Sequence, residues 1–229
     1  MSRHNTIKIA PSILAADFAR LGDDVAAAVQ GGADYIHVDV MDGHFVPPIT
    51  FGAQMIGAIK PYAGVVPLVV HMMVEEPARH IEHIARAGAD VIVVHAEACA
   101  DLAGTVAAVQ ETGAQAGVAV RPETPIDSIL PFLDEIEIAL LMTVNPGYGG
   151  QPYIPEVETK IATMRGIIDS RGLNVELEVD GGINENTIEQ AVRAGARLFV
   201  AGTAVYGRPE PVPERIKILR ELAENALRE

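Results

Sequence analysis

Ala87-Gly-Ala-Asp-Val-Ile-Val-Val-His95 is the stretch that decides the fold. Its run from Val91 to Val94 is apolar on both faces, which suits a parallel strand covered by helices. The Ala-Gly-Ala before it reads as a helix C-cap followed by a tight turn into the strand. The same grammar recurs upstream at Gly31-Gly-Ala33 and downstream at Ala194-Gly-Ala196. Working outward, strand-like runs fall at Ile7–Ala10, Tyr35–Val40, Leu68–His71, Val91–His95, Ala116–Val120, Ala139–Val144, Val175–Val179 and Leu198–Ala201. Helical patterns lie between them, at Asp17–Gln30, Ala78–Ala87, Leu102–Glu111, Pro155–Ser170, Glu185–Ala194 and Pro213–Leu227, with weaker signals at Ala53–Lys60 and Ile126–Leu133. This alternation predicts an α/β chain folded as a (β/α)8 TIM barrel. No Gly-x-Gly-x-x-Gly opens the first helix, which argues against an open dinucleotide-binding sheet. No linker or composition break appears, so residues 1–229 read as a single barrel domain.

A chain of 229 residues is a normal length for one such barrel, and its 49% hydrophobic content excludes a disordered chain. No apolar run approaches the ~20 residues that cross a bilayer. The polar start, Met1 to Thr6, has no apolar segment behind it and does not read as a secretory signal. Cys99 is the only cysteine, which fits a reducing compartment, and the expected location is cytoplasmic. With 17 basic against 31 acidic residues the net charge is −14, a field that repels nucleic acid and anionic membranes. It would also repel a phosphorylated metabolite unless the site supplied local positive potential, from a metal or from oriented backbone amides.

In this architecture the reactive groups sit where strands end. The polar residues at those ends are Ser12, His37, Asp39, His71, His95, Glu97, Arg121, Asn145, Asp180 and Thr203. His37 and Asp39 stand two apart on one strand and therefore share its inner face, while Val38 points to the helices. A single inward histidine is more often a hydrogen-bonded core residue than a ligand, but an inward aspartate is costly to bury unpaired. His37, Asp39, His71 and Asp180 converging on one barrel mouth form a divalent-metal set whose mixed donors suit Zn, Fe(II), Mn(II) or Co(II). His95 and Glu97 repeat the two-apart spacing, and hydrogen bonding behind the ligands is the favoured reading for them. Met41, Met72 and Met142, ordinarily gap fillers, sit close enough to shield a reactive intermediate from water.

Asn145-Pro-Gly-Tyr-Gly-Gly150 follows the sixth strand, Gly181-Gly182 the seventh and Gly202-Thr203 the eighth. Glycines allow backbone N–H groups close to a phosphate, and the loops after strands seven and eight are a frequent phosphate site in this fold. Ser12 either donates to the substrate or forms a turn.

Taken together, Ile9-Ala-Pro-Ser-Ile-Leu14, His37-Val-Asp-Val-Met-Asp-Gly-His-Phe-Val-Pro47, His71-Met-Met-Val74, Met142-Thr-Val-Asn-Pro-Gly-Tyr-Gly-Gly-Gln151 and Glu178-Val-Asp-Gly-Gly-Ile183 resemble the ribulose-phosphate 3-epimerases, in family order and across nearly the whole chain. The resemblance implies a TIM barrel of the ribulose-phosphate-binding type and interconversion of D-ribulose 5-phosphate and D-xylulose 5-phosphate, a step of pentose phosphate metabolism. It implies Asp39 and Asp180 as the two acid/bases, with one divalent metal held by His37, Asp39, His71 and Asp180. It further implies substrate contacts from Ser12, His71, Gly147, Tyr148, Gly149, Gly150, Gly181, Gly182, Gly202 and Thr203. The chemistry suits those residues: polarising the C2 carbonyl acidifies the C3 proton, and carboxyl groups on opposite faces of an enediolate permit inversion. Val69 stands where the family commonly has aspartate, Pro48 replaces asparagine, Thr203 serine and Tyr148 phenylalanine. Arg121, where many relatives have asparagine, is either a solvated charge or a recognition group for another substrate end.

The nearest rival is the same chemistry on another ketose phosphate, such as D-allulose 6-phosphate. A decarboxylase of the orotidine or ketogulonate phosphate group would need an Asp-x-Lys-x-x-Asp segment, and Asp39-Val-Met-Asp42 lacks the lysine. A non-catalytic phosphate-binding barrel would be expected to have lost a ligand, and all four are present. Ala-rich helical faces permit a homo-oligomer, as relatives form.

Overall fold

The computed structural model of the chain describes residues 6–228, and most of the polar start read above, Met1 to Asn5, lies outside them. The strands are β1 (Lys8–Pro11), β2 (Ile36–Met41), β3 (Leu68–Met73), β4 (Val91–His95), β5 (Gln115–Val120), β6 (Ile138–Met142), β7 (Glu176–Asp180) and β8 (Leu198–Ala201). All pair in parallel, in the order β1-β8-β7-β6-β5-β4-β3-β2. A single parallel bridge, Ser12 to His37, joins the two ends of that order and brings the first strand against the second. The helices are α1 (Leu21–Gln30), α2 (Ala53–Ala63), α3 (Ile81–Arg86), α4 (Leu102–Glu111), α5 (Glu158–Arg171), α6 (Ile188–Ala194), α7 (Thr203–Tyr206) and α8 (Val212–Arg228). The eight-stranded barrel predicted from the repeating grammar is therefore present. The predicted glycine turn after α6 forms at Gly195, whose φ of +117° suits a residue without a Cβ.

Local differences have local causes. Helical patterns starting at Asp17, Ala78 and Pro155 open as 3-10 turns (Phe18–Arg20, Pro77–Arg79, Pro155–Val157) before α1, α3 and α5 begin. Ile126–Leu133 is not a helix but two 3-10 turns, Ile126–Ser128 and Leu130–Phe132. Pro131 lacks an N–H and cannot donate to the Asp127 carbonyl, which interrupts the i-to-i−4 ladder in the middle of the segment. The short helix α7, directly after β8, was not predicted.

The period of two along each strand sorts the core into two regions. Ile36, Val38, Val40, Val70, Met72, Ile92 and Val94 face outward and pack with Val25, Ile56, Ile84 and Val106 of the surrounding helices. Val69, Val91, Val93, Ala119, Leu140 and Val200 face inward and fill the barrel. Each fully buried aliphatic side chain contributes roughly 1.5–3 kcal/mol. The apolar plug also closes the barrel below the polar groups at the strand C-termini, so that these open to one side only. Among the described residues no helix is long and apolar enough to cross a membrane.

Candidate active site

Parity on β2 turns His37 and Asp39 inward, and register places His71 directly beside Asp39 on β3. On the other side of the mouth, Asp180 ends β7 opposite Met142. One donor atom from each of His37, Asp39, His71 and Asp180 lies within 4.8 Å of all the others. His71 Nδ1 is 3.1 Å from Asp39 Oδ1 and 3.4 Å from Asp180 Oδ2. His37 Nε2 is 3.3 Å from Asp39 Oδ1 and 3.6 Å from Asp180 Oδ2. Four donors each about 2.05 Å from one tetrahedral ion would be spaced about 3.3 Å apart. The separations fit such a cluster, and the fully buried His37 ring nitrogens make no hydrogen bond despite facing carboxylates. The group is thus able to hold a divalent cation.

The remaining atoms of these ligands are committed elsewhere. Ser12 Oγ donates to Asp39 Oδ2 at 2.5 Å, leaving Oδ1 toward the histidines. Neither sequence reading of Ser12 had found this bond, because it crosses the closure between β1 and β2. Thr50 returns to the end of β2, its hydroxyl donating to the Asp39 carbonyl at 2.6 Å and accepting from Met41 N–H at 3.0 Å. Thr143 performs the same task for β7, its hydroxyl donating to the Gly181 carbonyl at 2.6 Å.

A second layer backs both histidines. His37 Nδ1 faces Glu178 Oε1 at 3.4 Å, with both side chains fully buried. His71 Nε2 meets His95 Nε2 at 2.9 Å, and His95 Nδ1 meets Glu97 Oε2 at 3.1 Å. The Arg121 backbone N–H donates to Glu97 Oε1 at 2.8 Å. With Nδ1 of His71 turned to the aspartates, one tautomer set satisfies this chain: His71 donates from Nε2, and His95 donates from Nδ1 to Glu97. Burial lowers the His95 pKa to about 4, outweighing its bond to Glu97, so His95 is a neutral relay. His95 and Glu97 thus form the hydrogen-bonded support expected of them. Glu178 was quoted in a motif but given no role. Its spacing from Asp180, two residues along one strand face, was the signal that would have found it.

Electrostatics in the cluster follow from its mixed charges. Burial works against ionisation of Asp39, yet His37 and His71 outweigh it and hold the carboxyl far below its usual range. Burial likewise opposes protonation of His37 and His71, but the facing carboxylates raise both above an ordinary imidazole. Burial dominates at Glu178 and pushes it upward.

Above this floor lies a cavity of about 490 Å³. Ser12, the stretch 147–150, the pair Gly181-Gly182 and the pair Gly202-Thr203 all line it, as do Asp39 and Asp180. His71, expected also as a substrate contact, is fully buried beneath the aspartates and is not part of the lining. Met41 and Met142 line the wall, but Met72 does not. Because His71 faces inward, Met72 must face the helices and Met73 the cavity, where it packs with Met41. Pro48 also lines the cavity, and Val69 sits beside His37 in the apolar plug. Arg121 is neither a free charge nor a cavity group. Its guanidinium lies 4.3 Å from the Phe45 ring centroid and donates to the Phe45 carbonyl at 3.2 Å, clamping the loop after β2.

Gly182 has φ of +68°, and a Cβ there would meet Tyr153 N at 2.4 Å and Tyr153 Cα at 2.6 Å. The chain after β7 can therefore follow this path only with glycine. Gly182→Ala should destabilise the protein by on the order of 3 kcal/mol and lower Tm by roughly 6–12 °C. Thermal denaturation within 2 °C of wild type, by the measure of about 2–4 °C per kcal/mol, would show that the backbone yields cheaply.

A family model described as the ribulose-phosphate 3 epimerase family matches residues 8–206, from β1 to the end of α7. The chain belongs to the ribulose-phosphate 3-epimerase family. Its family relatives include a ribulose-phosphate 3-epimerase of Bacillus subtilis, 49% identical over 89% of this chain and 94% of the relative. Another, from Synechocystis, is 47% identical over 89% of each chain. Among solved structures, a 3-keto-L-gulonate-6-phosphate decarboxylase of Vibrio cholerae superposes with a TM-score of 0.67 over 96% of this chain and 98% of its own, at 16% identity. That likeness concerns the barrel alone. The family assignment matches the motifs on which the resemblance was drawn, and the metal-capable cluster lies within the matched residues.

Proposed function

We propose that this family member, a carbohydrate epimerase, interconverts D-ribulose 5-phosphate and D-xylulose 5-phosphate with Asp39 and Asp180 as its acid/base pair. The observation that carries the mechanism is the placement of these two carboxylates. They stand on β2 and β7, separated around the barrel by β1 and β8, and both reach the floor of one cavity. A planar intermediate lying between them can lose a proton to one and gain a proton from the other, which inverts C3. A single base would return the proton to the face it came from.

His37, Asp39, His71 and Asp180 would hold the divalent ion, and their donors suit Zn, Fe(II), Mn(II) or Co(II). Bound there, such an ion would supply Lewis acidity that lowers the pKa of the C3 proton. The facing histidines keep Asp39 in the carboxylate form that an acceptor must have, and Ser12 fixes its orientation. The backbone amides of 147–150, 181–182 and 202–203 border the part of the cavity suited to the phosphate. Met41, Met73 and Met142 line the wall and would keep water from the intermediate. We take the chain to act as one catalytic domain in the cytoplasm, a reading supported by its single unpaired Cys99. A homo-oligomer remains the expected assembly, and exposed apolar side chains such as Phe18 and Tyr62 are available to it.

The test is proton exchange. Metal-loaded enzyme in deuterated water should place deuterium at C3 of D-ribulose 5-phosphate while D-xylulose 5-phosphate forms. Metal-replete protein that exchanges nothing on this substrate would overturn the assignment, and six-carbon ketose phosphates would be assayed next.

Glu178 offers a separate check on how His37 is held. A carboxylate behind a ligating imidazole fixes its tautomer and raises its basicity. Glu178→Gln keeps the volume but removes the charge, and should weaken divalent-metal affinity about 10- to 100-fold. Calorimetric titration of the metal measures this without recourse to activity. Unchanged affinity would reduce Glu178 to a core residue.

A further inference from the structure

We infer that Arg208 recognises the substrate phosphate and sets the preference for phosphorylated over free ketoses. This rests on the functional reading above. The cavity lining contains three formally charged side chains: Asp39 and Asp180 on the floor, and Arg208, which is its one Lys or Arg. The cavity is therefore polar in the electrostatic sense, with carboxylates at one pole and a guanidinium among the other lining groups. In a chain of net charge −14 that cation matters more than it would on a neutral surface.

The local fold explains why Arg208 is there and why it is free. The Gly207 N–H donates to the Thr203 carbonyl at 3.1 Å, so the chain turns back at the end of α7 and residue 208 emerges beside Gly202-Thr203. A Cβ at Gly207 would lie 2.9 Å from that carbonyl, which keeps the turn tight. Glu210, two residues on, is turned toward a different arginine. Arg215 Nη2 meets Glu185 Oε1 at 2.5 Å, its Nη1 lies 3.9 Å from Glu210 Oε2, and its Nε donates to the Ala204 carbonyl at 2.9 Å. Arg208 takes part in no hydrogen bond or ion pair among the described residues. Its planar fork of donors matches a phosphate monoester, and backbone amides alone carry no full charge with which to oppose the dianion.

Binding at the phosphate is remote from C3 and equal in ground and transition states, so its loss appears in KM rather than kcat. In Arg208→Gln, KM for D-ribulose 5-phosphate should rise roughly five- to twentyfold, an exposed charge-assisted contact being worth less than a buried one. The Kd for inorganic phosphate, measured by calorimetry on metal-loaded protein, should weaken by a similar factor. Arg208→Lys should fall between the two, and the slow turnover of unphosphorylated D-ribulose should be the same in all three proteins. Unaltered KM and unaltered phosphate affinity in Arg208→Gln would overturn the inference and leave Arg208 a solvated loop charge. Wild type that fails to epimerise D-ribulose 5-phosphate but loses phosphate affinity on Arg208→Gln would sink the proposed function and support the phosphate role.

Discussion

Asp39→Asn and Asp180→Asn should each lower kcat by about a thousandfold or more, the scale of a lost general acid or base. Their diagnostic difference lies in isotope exchange. If the aspartates face opposite sides of C3, each variant retains the group that faces one epimer only. One variant should then exchange the C3 proton of D-ribulose 5-phosphate with solvent without forming D-xylulose 5-phosphate. The other should exchange the proton of D-xylulose 5-phosphate alone. Metal content must be measured beside activity, since both residues belong to the cluster of candidate ligands. Turnover within tenfold of wild type in either variant would exclude that aspartate as an obligatory acid/base. Complete loss of exchange from both epimers in a metal-replete variant would mean that one carboxylate acts on both faces.

Metal removal is the second large effect. Dialysis against a chelator should depress turnover at least a hundredfold, because the C3 proton is too weakly acidic for an unaided carboxylate near neutral pH. Restoration by Zn, Fe(II), Mn(II) or Co(II), compared at equal occupancy, would rank the candidate ions. Stability should change too. An ion present at 100 times its Kd stabilises the fold by about 2.7 kcal/mol, which corresponds to roughly 5–11 °C in Tm for a chain of this size. Full activity and unchanged Tm in protein shown by elemental analysis to be metal-free would refute the metal requirement. His71→Ala should lose the same increment on metal addition, since Nδ1 of His71 points at both carboxylates.

Much of this protein is determined by its sequence alone. The Ala-Gly-Ala turns and the two-faced apolar runs specify parallel strands between helices, because parity and capping are local properties. The pairing of His37 with Asp39 is equally local, as a spacing of two on a strand places both on one face. Parity would also have distinguished Met73 from Met72, given that His71 faces inward. Pro131 would have excluded a continuous helix over Ile126–Leu133.

Tertiary structure decided the contacts that depend on register and closure. Ser12 reaches Asp39 because β1 and β2 close the barrel, although 27 residues separate them in sequence. His71 is supported by His95, and the Glu97 behind it is held by the Arg121 backbone, only because β3, β4 and β5 align. Arg121 becomes a clamp on Phe45 across 76 residues, and Glu210 turns toward Arg215 while Arg208 has no partner among the described residues. None of these follows from spacing along the chain. Local pattern dictates which face a side chain takes, whereas its partner depends on which strand or loop the closed barrel brings opposite it.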